Sequence, residues 1–202
     1  MKQKIVIFVR TINWEYTVTG IVFGMVAFGL FVLYDLNSVL WKRRWMHPSF
    51  LTGCVLLLLS TVLQICSALK TVQINVSFIT FFILSLLFFG LMIYTLFFAL
   101  PFEKTYMGTD EKPQVYDQGM YALCRHPGVL WFFFFYLFLG LALRPSHMLR
   151  NGMIYSLLNL FYIIMQDFWT FPKTFADYGT YKEKTPFLIP TRVSVKRALR
   201  RK

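Results

Sequence analysis

Charge is what this chain has least of. Only 15% of its 202 residues are Asp, Glu, Lys or Arg, against roughly 25% in a typical soluble domain. That is too little to coat a water-soluble globule, which excludes a soluble enzyme and a disordered tail. Acids are scarcest, with 9 Asp+Glu against 21 Lys+Arg and a net charge of +12. The three cysteines, Cys54, Cys66 and Cys124, form no CxxC spacing, so neither a disulfide scaffold nor a haem attachment site is encoded. His47, His126 and His147 are scattered, which leaves no metal-ligand spacing and no metal centre to expect. No internal repeat, low-complexity tract or coiled-coil pattern is present.

What the chain has is apolar length. Hydrophobic residues make up 57% and aromatics 19%. Tyr16 to Tyr34 is uncharged between Glu15 and Asp35, and Leu51 to Leu69 forms a second run after a basic loop of Lys42, Arg43 and Arg44. Each is long enough to cross a hydrocarbon core of about 30 Å at about 1.5 Å per residue. Thr71 to Phe102 is uncharged for 32 residues and reads as one tilted or overlong span. Pro127 to Leu143 and Asn151 to Gln166 are the last two runs, joined by Arg144-Pro145-Ser146. Met1 to Arg10 is too short to span and reads as an interfacial or frayed helix. The runs do not alternate polar and apolar residues, which sets a barrel aside. The sequence therefore predicts an all-α integral membrane protein, a bundle of about five transmembrane helices with a cytosolic C-terminal helical segment. Residues 1–114 are read as N-terminal membrane helices, and 115–202 as the final hairpin and tail of the same structural domain.

The positive charges lie between and after the spans, which points to orientation and contact with anionic lipid rather than to nucleic acid. The more basic side holds Lys42 to Arg44, the 103–125 segment and the tail, so that side is placed in the cytosol. Lys2, Lys4 and Arg10 argue the other way. Gln64 and Asn159, polar residues inside spans, read as interhelical hydrogen-bonders.

Chemistry is expected where the final hairpin ends. Its runs of 17 and 16 residues span only about 24–26 Å, and a hairpin brings its two outer ends to one face. Arg125, His126, Gln166 and Asp167 should meet there. One outcome is an Arg125–Asp167 pair that only fastens the hairpin. The other is a polar site at the membrane rim. Tyr121 and Arg125 are four apart and share a face if that segment is helical. Pro127 suits the first turn of the next helix, whose free N–H groups, together with Arg125, offer a seat for an anion.

The run Gly119-Met-Tyr121-Ala-Leu-Cys-Arg125-His126-Pro127 resembles the G-x-Y-x-x-x-R-H-P block of the isoprenylcysteine carboxyl methyltransferase family. Related phospholipid N-methyltransferases share that block. A second block, Tyr178-Gly-Thr-Tyr181-Lys-Glu-Lys-Thr-Pro186, resembles the family's tyrosine-rich ending, and Gln166-Asp167 stands where an acidic pair normally precedes it. The resemblance covers Val115 to Pro190.

It implies a membrane-embedded methyltransferase with S-adenosylmethionine bound on the cytosolic side. A lipophilic or prenylated acceptor, either a carboxylate or a phospholipid amine, would enter from the bilayer. Tyr121, Arg125, His126 and Pro127 would form one wall of the cofactor site, Gln166 and Asp167 the acidic pair, and Tyr178 and Tyr181 the closure from the tail. His126 and Asp167 would be the catalytic candidates. The chain departs from the family at Val129, where Tyr is usual, at Trp131, where Gly is usual, at Gln166, and at Phe175-Ala176. Two other readings compete: a membrane reductase using a nicotinamide cofactor, since membrane sterol reductases share a similar R-H-P block, and a non-catalytic scaffold. Oligomeric state is left open.

Overall fold

The computed structural model describes residues 2–99 and 113–200, with side chains over 15–99 and 113–199. Among these residues every regular element is helical and there is no strand. The helices are α1 (Lys2–Leu36), α2 (Pro48–Leu69), α3 (Val76–Ile93), α4 (Met120–Leu123), α5 (Pro127–Leu143), α6 (Ser146–Met165), α7 (Phe171–Thr174), α8 (Tyr178–Lys184) and α9 (Arg192–Arg200). Widened π-helical turns extend α1 over Asn37–Trp41, α3 over Tyr94–Phe98 and α6 over Gln166–Thr170.

Four stretches are long and apolar enough to cross a membrane: Glu15–Trp41, Arg44–Leu69, Val76–Phe98 and Ser146–Thr174. Helix α5 is apolar but shorter, at 17 residues. Two expectations need correction. Met1 to Arg10 is not a separate element, because α1 runs unbroken from Lys2; no proline or glycine interrupts residues 2–19. The last apolar run also sits in a helix longer than the run itself. Its helical stretch extends from Ser146 to Thr174, since Ser146–Arg150 and Asp167–Thr174 continue the helix at both ends despite their polarity.

The chain divides into two compact units, Met1–Leu87 with Phe133–Tyr162, and Phe88–Phe132 with Ile163–Lys202. In the first unit, α1 and α2 pack at close range. A side chain at Gly53 would strike Ala27 O at 2.9 Å and Phe31 Cε1 at 2.6 Å. A buried polar lattice ties α6 to both helices. Asn151 Nδ2 donates to Gln64 Oε1 (2.9 Å) and to Tyr16 O (3.2 Å). The Tyr155 hydroxyl donates to Gly20 O (2.9 Å) and also meets Ser60 Oγ (2.8 Å) and Gln64 Nε2 (3.2 Å). Thr61 and Tyr136 share a further hydroxyl bond of 2.6 Å. Apolar burial drives little helix association in lipid, so interhelical bonds and small-residue contacts carry it, each bond contributing about 0.6–2 kcal/mol. Gln64 is an interhelical hydrogen-bonder, as its position inside an apolar run implies.

The basic loop is closed by Asn37. Its Nδ2 donates to Arg43 O (3.0 Å), and its Oδ1 accepts from Arg43 N (2.8 Å). Lys42, with φ 52°, makes the turn between them.

Candidate functional site

The site is built within the second unit. Gly119 opens it: φ 56° with ψ −126° is a backbone conformation that residues with a Cβ rarely adopt, and it starts the single turn of α4. That turn stops at Leu123, and Cys124 is fully extended (φ −155°, ψ 162°). Tyr121 and Arg125 therefore do not share a helical face. The three residues between α4 and Pro127, Cys124 to His126, leave the helix and send the two side chains apart; a residue preceding proline disfavours the helical region. Tyr121 donates its hydroxyl to Thr95 O (3.0 Å), while Arg125 turns toward the tail.

The extended break pairs with a distant segment. Arg125 N donates to Pro186 O (2.9 Å), and His126 N donates to Phe187 O (3.3 Å). Pro127 then begins α5 and is fully buried. The carboxylate of Asp167, 1% exposed, arrives on the widened turn at the end of α6. Such turns shift side chains out of the regular helical register and recur at functional sites.

Asp167 is the hub. Its Oδ1 accepts from Arg125 Nε (2.7 Å) and from the Tyr178 hydroxyl (2.6 Å), with His126 Nε2 at 3.4 Å. Its Oδ2 meets Lys182 Nζ (2.8 Å) and Arg125 Nη2 (3.3 Å). Arg125 is equally committed. Nη1 donates to Lys182 O (3.0 Å) and Thr185 O (2.7 Å), capping the carbonyl end of α8, where a cation also complements the helix dipole. Of the anion seat read from the sequence, Arg125 holds this chain's own carboxylate. The guanidinium fork is used internally rather than offered outward.

The expected residues assemble as follows. Arg125, His126, Asp167 and Tyr178 meet directly. Tyr181 is buried beside them and donates to Tyr121 O (2.8 Å), joining the tail to α4. Pro127 holds the corner. Gln166 is half-buried on the same turn as Asp167. Aromatic rings wall the cluster: His126 stacks on Phe171 (5.9 Å between centroids) and meets Phe187 edge-on (5.1 Å), and Arg125 lies 5.5 Å from the Phe187 centroid. Trp131 donates to Thr95 Oγ1 (3.1 Å) and stacks on Phe88, so the space beside Thr95 is filled by an indole.

Sequence reasoning missed Lys182, Thr185 and Phe187. The signal for Lys182 was its place one residue after Tyr181, on the same short helix. Thr185 acts through its backbone carbonyl, and Phe187 through a ring contact and its carbonyl, neither of which leaves a residue-type signature.

Burial lowers the pKa of His126; Asp167 opposes that shift, while Arg125 and Lys182 add to it, so the imidazole is held neutral. Burial, then the bond to Asp167, raises the pKa of Tyr178, and burial raises that of Tyr181, which keeps both phenols protonated. Burial pushes the Cys124 thiol up to about 11. Among the described residues no cluster of His, Cys, Asp or Glu could hold a metal ion.

No protein-family model, curated protein or solved structure matches this chain.

Proposed function

We propose that this protein is an integral-membrane methyltransferase that uses S-adenosylmethionine to methylate a lipophilic acceptor, an isoprenylcysteine-like carboxylate or a phospholipid amine. One observation supports the reading above others. The two sequence blocks that carry the resemblance close on a single buried carboxylate, that of Asp167, through Arg125 of the first block and Tyr178 of the second. We further read α5 as a fifth span and place the site and C-terminus on the cytosolic side.

The residues fit such a cofactor in kind. Bound S-adenosylmethionine would supply a methyl group activated on a sulfonium. Lys182, whose side chain is 35% exposed, is the charged group at the open edge of the cluster and suits the cofactor's carboxylate. Its ammonium also lies over the exposed Phe168 ring, 4.1 Å from the centroid. Arg125 and Asp167, saturated by internal partners, act as the frame that sets these groups in place. Neutral His126 can take the proton that an amine acceptor must release; a carboxylate acceptor needs no base. The rings of Phe171 and Phe187 keep water from the imidazole, and a dry surrounding favours loss of the sulfonium charge.

The test is equilibrium binding of radiolabelled S-adenosylmethionine to the detergent-purified protein, run beside thermal-shift titrations with S-adenosylmethionine and with reduced nicotinamide dinucleotides. Saturable binding of the first, weakened at least tenfold in Lys182→Ala with helicity unchanged, is expected. A shift with the nicotinamide alone would transfer the reading to a reductase. Binding of neither would leave a scaffold.

A further inference from the structure

The tail helix α9 carries two unlike faces. It is nucleated by its own cap: Thr191 N donates to Ser194 Oγ (2.9 Å) and Ser194 N to Thr191 Oγ1 (3.2 Å), a reciprocal box that fixes the first turn. Its inward face holds buried Ser194 and half-buried Arg197 and Ala198. Arg197 spreads its guanidinium over three oxygens: Thr185 Oγ1 (2.6 Å), Lys184 O (2.7 Å) and Ala122 O (3.0 Å).

The outward face is both basic and apolar. Arg192 and Lys196 are exposed, and so are Val193, Val195 and Leu199, with Ile189 just upstream. At about 100° per residue, Val195, Leu199, Arg192 and Lys196 sweep one continuous surface opposite Ser194 and Arg197. Water suits the charges but not the aliphatic side chains, whereas the boundary of an anionic bilayer suits both. A chain with membrane-crossing helices also keeps that surface within reach.

Thr185 links this helix to the Asp167 cluster. Its hydroxyl accepts from Arg197 while its carbonyl accepts from Arg125 Nη1 at 2.7 Å. Ala122, the other anchor, lies in the turn that leads to Arg125.

We propose that α9 seats on an anionic phospholipid surface and that Arg197 transmits this seating to residues 182–187, tightening the loop that cradles Arg125. Lipid charge then sets how firmly the cluster is closed. No cofactor or acceptor is involved, so the proposal stands apart from the methyl-transfer reading.

The experiment is hydrogen–deuterium exchange of the full chain in nanodiscs of phosphatidylcholine alone or with added phosphatidylglycerol. Both 192–199 and 182–187 are expected to exchange more slowly in the anionic discs. The double variant Arg192→Gln, Lys196→Gln alters only exposed side chains and should abolish that difference, with tail protection falling on the order of fivefold per charge removed. Arg197→Gln should keep lipid protection at 192–199 and lose it at 182–187. Equal exchange in the two lipids, or a lipid effect that survives the double variant, overturns the proposal. Equal protection of 192–199 by soluble polyglutamate in the zwitterionic discs also overturns it, in favour of an acidic protein partner.

Discussion

Arg125 and Asp167 meet as a two-point pair, Nε to Oδ1 at 2.7 Å and Nη2 to Oδ2 at 3.3 Å, with side chains only 8% and 1% exposed. The pair joins a corner before one helix to a widened turn at the end of another. Lys182 and Tyr178 complete the ring of donors. A carboxylate so enclosed is compensated only while all its partners stay in place.

Asp167→Asn would leave the Arg125 guanidinium and the Lys182 ammonium facing a neutral amide. The expected loss is about 3–5 kcal/mol, the usual result of removing one member of a buried charge cluster. Reversible unfolding in mixed micelles measures it. A loss under about 1 kcal/mol, the scale of a solvent-exposed pair, would show that the cluster is open to water.

Tyr178→Phe removes one hydroxyl while keeping the ring that packs on Phe171 and Phe175. The lost bond goes to a carboxylate, so about 1.5–3 kcal/mol should disappear. Tyr181→Phe loses a bond to a neutral carbonyl and should cost only about 0.5–1.5 kcal/mol. The ordering of the two midpoints, compared in the same micelles, is the readout.

His126 gives stability a pH dependence of definite sign. Burial lowers its folded pKa below the ordinary 6.5, so from pH 6.5 downward the unfolded chain binds more protons than the folded one. Stability from this group is full above 6.5, falls as the pH drops toward the lowered folded value, and levels off below it. Melting temperatures recorded from neutral to mildly acidic pH should decline for the wild type. The decline should be shallower in His126→Gln.

Cys124 is buried, and its thiol is pushed up to about 11, so almost no thiolate exists at neutral pH. N-ethylmaleimide should leave Cys124 unmodified in the folded protein and label it once dodecyl sulfate unfolds the chain. Peptide mass mapping at pH 7 reads this directly. Rapid labelling of the native protein would mean that the α4 corner opens.

Gly20 tests the lattice of the first unit. A methyl group there would collide with Asn151 Nδ2 and reach the Tyr155 hydroxyl at 3.0 Å, whereas one at Gly29 meets nothing within 4 Å. Gly20→Ala should destabilise by about 1–3 kcal/mol through forced repacking. Gly29→Ala on the same helix should be neutral or slightly stabilising. Thermal midpoints of the two variants in one detergent decide it.

The bounds of α5 could be read directly, because Pro127 fixes its first turn and Arg144-Pro145 ends it. Leu69 likewise closes α2 as the apolar run implies. The ends of α1 and α6 could not be read. Both helices continue beyond their apolar runs, and at the end of α6 the Tyr178 hydroxyl holds Asp167. Of the long polar segment expected between Glu103 and Arg125, residues 103–112 lie outside the described residues, as do Arg201 and Lys202 of the basic tail.

Composition and run length determined that this is a helical chain with segments long and apolar enough to cross a membrane, since hydropathy is additive along the sequence and lipid admits little else. Order along the chain also set which residues could gather around Asp167. Only the tertiary structure decided what they do there. Arg125 spends its fork on Asp167 and on two carbonyls of the tail, and Tyr121 faces away from it. Those outcomes depend on one extended residue, Cys124, and on a carbonyl pairing about sixty residues away. A backbone carbonyl is the same in every amino acid, so no local pattern could have announced it.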